Sequence, residues 1–218
     1  FASYEPPQFE RDLRNQAEFY YEPPAGFLAL CSNNLPEPTV VPSENFNTVL
    51  YTGSGSSQDI NLGMNSDFTW VKSRGATGSH ALFDSLRKTN SNYNNLASDS
   101  DSAEGETSYV DDVSTVFGLT GAGWNTNNGT YVAWNWKAGN ATLASYTGTG
   151  SNATIGHGLS KAPEMVIAKC RSEGSLGWAV YHEELNFPTD DLLYLNTNGA
   201  ANQHDPTWNN TAPTSSVF

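Results

Sequence analysis

Short runs of aromatic and β-branched residues, cut by clusters of Gly, Ser, Asn and Asp, set the pattern of this chain from residue 46 onward. Val49 to Tyr51, Phe68 to Ser73, Ala81 to Phe83, Val113 to Leu119 and Thr130 to Lys137 each have the length and composition of a strand. Within Thr130 to Lys137, alternation sets Val132, Trp134 and Trp136 on one face and Tyr131, Asn135 and Lys137 on the other. Size assigns the two tryptophans to the core, although an aromatic pair on one strand face can also serve as a sugar platform. Met165 to Cys170 is apolar on both faces, as a central strand would be. Asp191 to Leu195 predicts a further strand that the upstream sequence matches poorly.

Much of this pattern occurs twice. The stretch from Tyr51 to Ser56 returns as Tyr146 to Ser151, and Phe68 to Arg74 returns as Met165 to Arg171, with Lys72 matching Lys169 and Arg74 matching Arg171. Ser79 to Asp84 corresponds to Gly177 to His182, and Val113 to Phe117 to the last five residues, Thr214 to Phe218. A period near 95 residues is a domain length, so two copies of one antiparallel module are expected. The first copy continues into Thr130 to Lys137 and the second has no counterpart to it, which leaves an open sheet edge. That gap predicts either a longer natural chain or a strand supplied by another copy.

Residues 1–45 read differently. Paired prolines at 6–7 and 23–24, then Pro36, Pro38 and Pro42, break any long element, leaving one short strand at 27–31 and a helix-compatible stretch at 11–19. The domain reading is therefore a linker with the C-terminal end of an upstream domain (1–45), a first sandwich (46–140) and a second, truncated one (141–218).

Charge narrows the partners. The chain carries 10 basic and 23 acidic residues, a net charge of −13 over 218 residues, and its few Lys and Arg do not cluster. This disfavours nucleic acid and anionic membrane as partners. No apolar run is long enough for insertion as a helix. Cys31 and Cys170 read as isolated core residues rather than a disulfide.

Enzyme signatures are missing from the pattern: there is no nucleophile elbow, phosphate-binding loop or zinc-protease motif, and the four histidines share no metal-ligand spacing. The acidic stretch from Asp99 to Glu106 meets a calcium loop's needs only in part and reads as a solvated loop. Asp111 and Asp112, as strand neighbours, point to opposite faces and cannot flank one glycosidic bond. No catalytic residue, metal or cofactor is expected. The loop at 197–212 differs, because Trp208 beside Gln203, His204 and Asp205 offers a stacking face next to amide and carboxylate groups, a combination suited to neutral sugars. Its other reading is a long loop whose tryptophan packs on the sandwich.

Several of these segments carry a resemblance. Ala162 to Lys169, Gly177 to His182, Tyr194 to Thr197, Trp208 to Phe218 and Tyr131 to Gly139 resemble the repeated domains of tail-fibre and related virion appendage proteins of marine and cyanobacterial phages. Pro23 to Phe27 with Asn34 to Pro38 resembles the end of the SPRY-like domain that often precedes such repeats.

The expected fold is all-β, with two tandem antiparallel β-sandwich modules of jelly-roll, concanavalin-like type, the second incomplete. The resemblance implies a virion protein assembled in the host cytoplasm, serving as scaffold and as a binder of host-surface polysaccharide. Its partners would be other virion proteins or further copies of itself. A carbohydrate-active enzyme fragment and a capsid decoration protein are the alternatives.

Overall fold

A computed structural model describes residues 41–89, 92–139, 142–185, 191–202 and 206–218. The segments expected at 11–19 and 27–31 lie outside these. The fold is all-β: Pro42–Phe218 form one compact unit in which the described residues make one four-residue helix, α1 (Pro42–Asn45), and 13 strands in antiparallel sheets. The strands are β1 (Phe46–Thr52), β2 (Gln58–Asn61), β3 (Phe68–Ser73), β4 (Ala81–Asp84), β5 (Lys88–Thr89), β6 (Asn92–Asn95) and β7 (Gly105–Thr107). They continue with β8 (Val110–Asp112), β9 (Val116–Leu119), β10 (Thr130–Trp136), β11 (Met165–Ala168), β12 (Ala179–His182) and β13 (Leu193–Tyr194).

In the first repeat one sheet runs β1-β10-β3-β4 and is extended by a bridge between Leu82 and Leu96 toward β5-β6-β7. The facing sheet runs β2-β9-β8. Between them lie Tyr51, Val71, Phe83, Tyr131 and Ala133 from one side and Leu62, Val110, Phe117 and Leu119 from the other. Burying a side chain of this size stabilises by about 1.5–3 kcal/mol, so this layer dominates the module's stability. The inner face of β10 is thus Tyr131, Ala133 and Asn135, not Trp134 and Trp136, which are half-buried on the outer face. An amide can occupy the core because its bonds are made: Asn135 accepts from Thr69 Oγ1 at 2.9 Å and donates to the carbonyls of Asn47 and Ala133. Asn125 is likewise fully buried and pins the turn after β1, accepting from Ser54 N and Gln58 Nε2 and donating to the carbonyls of Ser56 and Gly121.

Among the described residues the second repeat reproduces part of this pairing, register by register. Phe68, Thr69, Trp70 and Val71 face Asp84, Phe83, Leu82 and Ala81, just as Met165, Val166, Ile167 and Ala168 face His182, Tyr181, Val180 and Ala179. The contact of Leu82 with Leu96 recurs as Val180 with Leu193, and Asn95 with Gly105 recurs as Leu192 with Asn202. Ile60 opposite Phe117 recurs as Ile155 with Phe218, joined by two backbone hydrogen bonds of 2.9 and 3.0 Å. Gly55 and Gly150 have φ of 73° and 74°, a left-handed conformation that costs glycine least. β13 therefore does have an upstream counterpart, Leu96 and Ala97 just beyond the end of β6, and the Asn-rich residues before them, with Asn95 in the place of Leu192, conceal the match.

Two further differences from expectation concern β11 and Cys170. Among the described residues β11 pairs with β12 alone, so it is an edge rather than a central strand, with Met165 and Ile167 exposed. Cys170 is a free, half-exposed thiol beside Ser172 instead of a core residue. Burial therefore does not account for it.

Candidate functional site

The outer face of the β1-β10-β3-β4 sheet carries an aromatic surface whose order follows from strand register. Phe46, Trp136 and Phe68 are cross-strand neighbours, as are Thr48, Trp134, Trp70 and Leu82. Trp136 sits between Phe46 and Phe68, with ring centroids 5.0 and 5.4 Å away. Trp134 meets Trp70 edge-to-face at 6.2 Å, the offset geometry that aromatic quadrupoles favour. Phe46 and Leu50 remain 41% and 60% exposed at the β1 edge, so the surface is open on that side. Trp70 is fixed from the other side: its indole N–H donates to His80 Nδ1 at 2.7 Å. Burial lowers the His80 pKa, opposed by Asp99 and assisted by Lys72, which keeps the ring a neutral acceptor.

The second repeat closes over the far end of this face. Trp178, 6% exposed, packs with Leu82, Leu96, Phe68 and Trp70, and its indole N–H donates to the carbonyls of Ala97 and Ser100 at 2.9 and 3.0 Å. Beside it Arg171 holds both carboxylate oxygens of Glu104, at 2.9 and 2.8 Å, and accepts the Glu104 backbone N–H on its own carbonyl at 2.8 Å. Those two hydrogen bonds hold the Glu104 carboxyl below its usual range despite partial burial. Arg87, 6% exposed, bonds Asp84 at 2.6 Å and lies 3.9 Å from Glu104. Asp84 and Glu104 are therefore engaged in holding the fold. Between the repeats is a cleft of about 860 Å³ lined by Phe68, Trp70, Trp136, Tyr146, Met165 and Phe218, among others.

Trp208 ends a 3-10 turn, Pro206–Trp208, and is half-buried. Its ring meets Tyr181 edge-on at 5.8 Å, and its Nε1 is buried with no hydrogen-bond partner among the described residues. Gln203, His204 and Asp205 lie outside those residues. Among the described residues no group of three or more His, Cys, Asp or Glu is placed to hold a metal. Sequence reasoning missed Phe46, Phe68, Trp70 and His80 as companions of Trp134 and Trp136. The available signal was parity: the three strands alternate in phase once β1, β10 and β3 are set side by side.

A family model described as a domain of unknown function, DUF7483, matches the sequence twice, over residues 41–145 and 142–218. The chain belongs to the DUF7483 family. No curated protein and no solved structure matches it. The two DUF7483 matches meet where the first repeat ends, and the two copies in this chain share the pairings of β3 with β4, of Leu82 with Leu96 and of Ile60 with Phe117.

Proposed function

We propose that this chain is a structural protein of a phage virion, part of a tail fibre or related appendage, in which DUF7483 repeats form the scaffold and an aromatic sheet face holds host-surface glycan. The virion setting rests on the sequence resemblance of the repeated segments. The observation that carries the binding role is the platform of Trp134 and Trp136 beside Phe46 and Leu50, open at the β1 edge. Indole faces stack on the C–H faces of sugar rings, and Thr48, directly across from Trp134, adds a hydroxyl at the rim. With a net charge of −13, the ligand best suited to this face is a neutral glycan, since an anionic one would be repelled. The scaffold role is supported by Trp178 and Arg171, which tie the second repeat to carbonyls and a carboxylate of the first.

The test is adsorption of the purified chain to host cells and to their isolated neutral polysaccharide. Trp134→Ala is expected to weaken both at least tenfold while the melting temperature falls only slightly. If Trp208→Ala removes binding and Trp134→Ala does not, the loop at 197–212 is the site and the platform reading fails. Gold-labelled antibody that marks no appendage on intact particles would remove the virion setting.

A further inference from the structure

Asparagine followed by glycine occurs twice in the sequence, at Asn128–Gly129 and at Asn198–Gly199. The dipeptide is able to modify itself, because glycine has no side chain to keep its backbone nitrogen away from the asparagine amide. Both asparagines are exposed, so access to water does not separate them. Backbone geometry does. Asn128 lies in the turn before β10 with a φ of 61°, in the left-handed region. Its N–H donates to the Gly53 carbonyl at 2.9 Å, the Gly129 N–H donates to the Thr126 carbonyl at 2.8 Å, and the Gly129 carbonyl accepts from Gly53 at 2.8 Å. The Gly129 nitrogen cannot turn toward the Asn128 side chain without giving up its bond to Thr126. Packing also requires glycine there: a Cβ at 129 would meet the Thr126 carbonyl oxygen at 2.9 Å and the Tyr131 ring at 3.0 Å.

None of these restraints acts on the second pair. Asn198 and Gly199 sit in the exposed loop that runs from β13 to the bridge between Leu192 and Asn202. Among the described residues no hydrogen bond engages the Asn198 side chain or the Gly199 N–H, and Asn198 is outside the left-handed region. A Cβ at 199 would find Thr197 Oγ1 at 3.7 Å, an ordinary contact, so neither space nor φ calls for glycine. We infer that Asn198 is a site of spontaneous deamidation and that the fold protects Asn128 from the same reaction. The Gly199 nitrogen attacks Asn198 Cγ, the Cγ–Nδ2 bond breaks, and the Gly199 amide proton leaves with Nδ2 as ammonia. Water then opens the cyclic succinimide. Breaking the new N–Cγ bond leaves aspartate, and breaking the bond to the backbone carbonyl leaves isoaspartate, with one extra carbon in the main chain. Either product adds one negative charge. The offset that sets Leu192 on Asn95 and Asn202 on Gly105 sets Asn198 on Asp101, so the first repeat already carries an aspartate at this place. The inference is independent of glycan binding on the outer face.

The test is peptide mapping by mass spectrometry of the full 218-residue chain, held at mildly alkaline pH and sampled over weeks. Asn198 is expected to convert at least tenfold faster than Asn128, to a mixture of aspartate and isoaspartate. In urea the two sites are expected to converge, because only the fold distinguishes them. Gly199→Ala is expected to slow conversion of Asn198 at least tenfold and to leave the melting temperature unchanged. No conversion at Asn198, equal rates at the two sites in the folded chain, or a tenfold rise at Asn198 on unfolding each overturns the inference. So does indifference to Gly199→Ala, or aspartate formed without isoaspartate, which would mean direct hydrolysis of the side chain.

Discussion

Tyr146 meets Phe218 edge-on with ring centroids 6.3 Å apart, repeating to within a tenth of an ångström the contact of Tyr51 with Phe117. The surroundings differ. Phe117 is fully buried against Phe83 at 5.7 Å, whereas Phe218 is half-buried beside the cleft. Phe117→Ala is expected to cost about 3–5 kcal/mol, and Phe218→Ala only about 1–2 kcal/mol, because less apolar area is lost from a partly solvated site. Urea denaturation of the two variants checks this. Equal losses would mean that the second repeat is as closed around Phe218 as the first is around Phe117.

The repeat itself was legible in the residues, since Tyr146, Ile155 and Phe218 each sit where Tyr51, Ile60 and Phe117 require. The inward face of β10 was not. Alternation separates Trp134 and Trp136 from Tyr131 and Asn135 but does not say which set faces the core, and size favours the tryptophans. The outcome is reversed because Thr69 and two carbonyls satisfy Asn135 inside the sandwich, while the second repeat brings Trp178 to the outer face and gives that side apolar cover of its own. No local pattern announces a contact between Trp178 and Ala97, which are 81 residues apart.

Trp178 couples the repeats. Trp178→Phe retains most of the apolar contact but removes the N–H shared by the Ala97 and Ser100 carbonyls, at an expected cost of about 1–2 kcal/mol. Trp178→Ala loses the packing as well, about 3–5 kcal/mol. Calorimetry is expected to show a single transition in the parent chain and two in the alanine variant. One transition in both would place the coupling elsewhere.

Glu104 makes the joint acid-sensitive. Arg171 depresses its folded carboxyl relative to the unfolded chain, so its stabilising contribution is complete above the ordinary carboxylate range near about 4.3 and is lost as pH falls through the lower folded value. Arg171 is 38% exposed, and solvent screening limits the pair to about 1 kcal/mol. Glu104→Gln is therefore expected to destabilise the chain by about that amount at pH 7, with the difference from the parent shrinking as pH falls below the ordinary carboxylate range and through the folded value. Urea midpoints followed from pH 7 downward decide it, and a constant difference between parent and variant would exclude the linkage.

Trp70 and His80 form a second pH-dependent pair, of a different kind. His80 Nδ1 accepts the Trp70 indole N–H at 2.7 Å, so the bond exists only while that nitrogen is unprotonated. Burial lowers the folded pKa of His80 below its unfolded value of about 6.5, despite the pull of Asp99. Its contribution is thus complete above about 6.5 and falls away as pH drops through the folded pKa, where protonation turns the acceptor into a donor facing another donor. Because Trp70 touches Trp134 edge-on, the platform loosens with it. The Trp70 indole N–H resonance is expected to shift and exchange faster on acidification from pH 7 to 5, in step with weaker glycan adsorption. His80→Phe abolishes the pH step while costing about 1 kcal/mol at neutral pH, since the indole N–H loses its partner. An indole resonance unmoved over that range in the parent chain would show that His80 does not titrate there and that the platform is insensitive to acid.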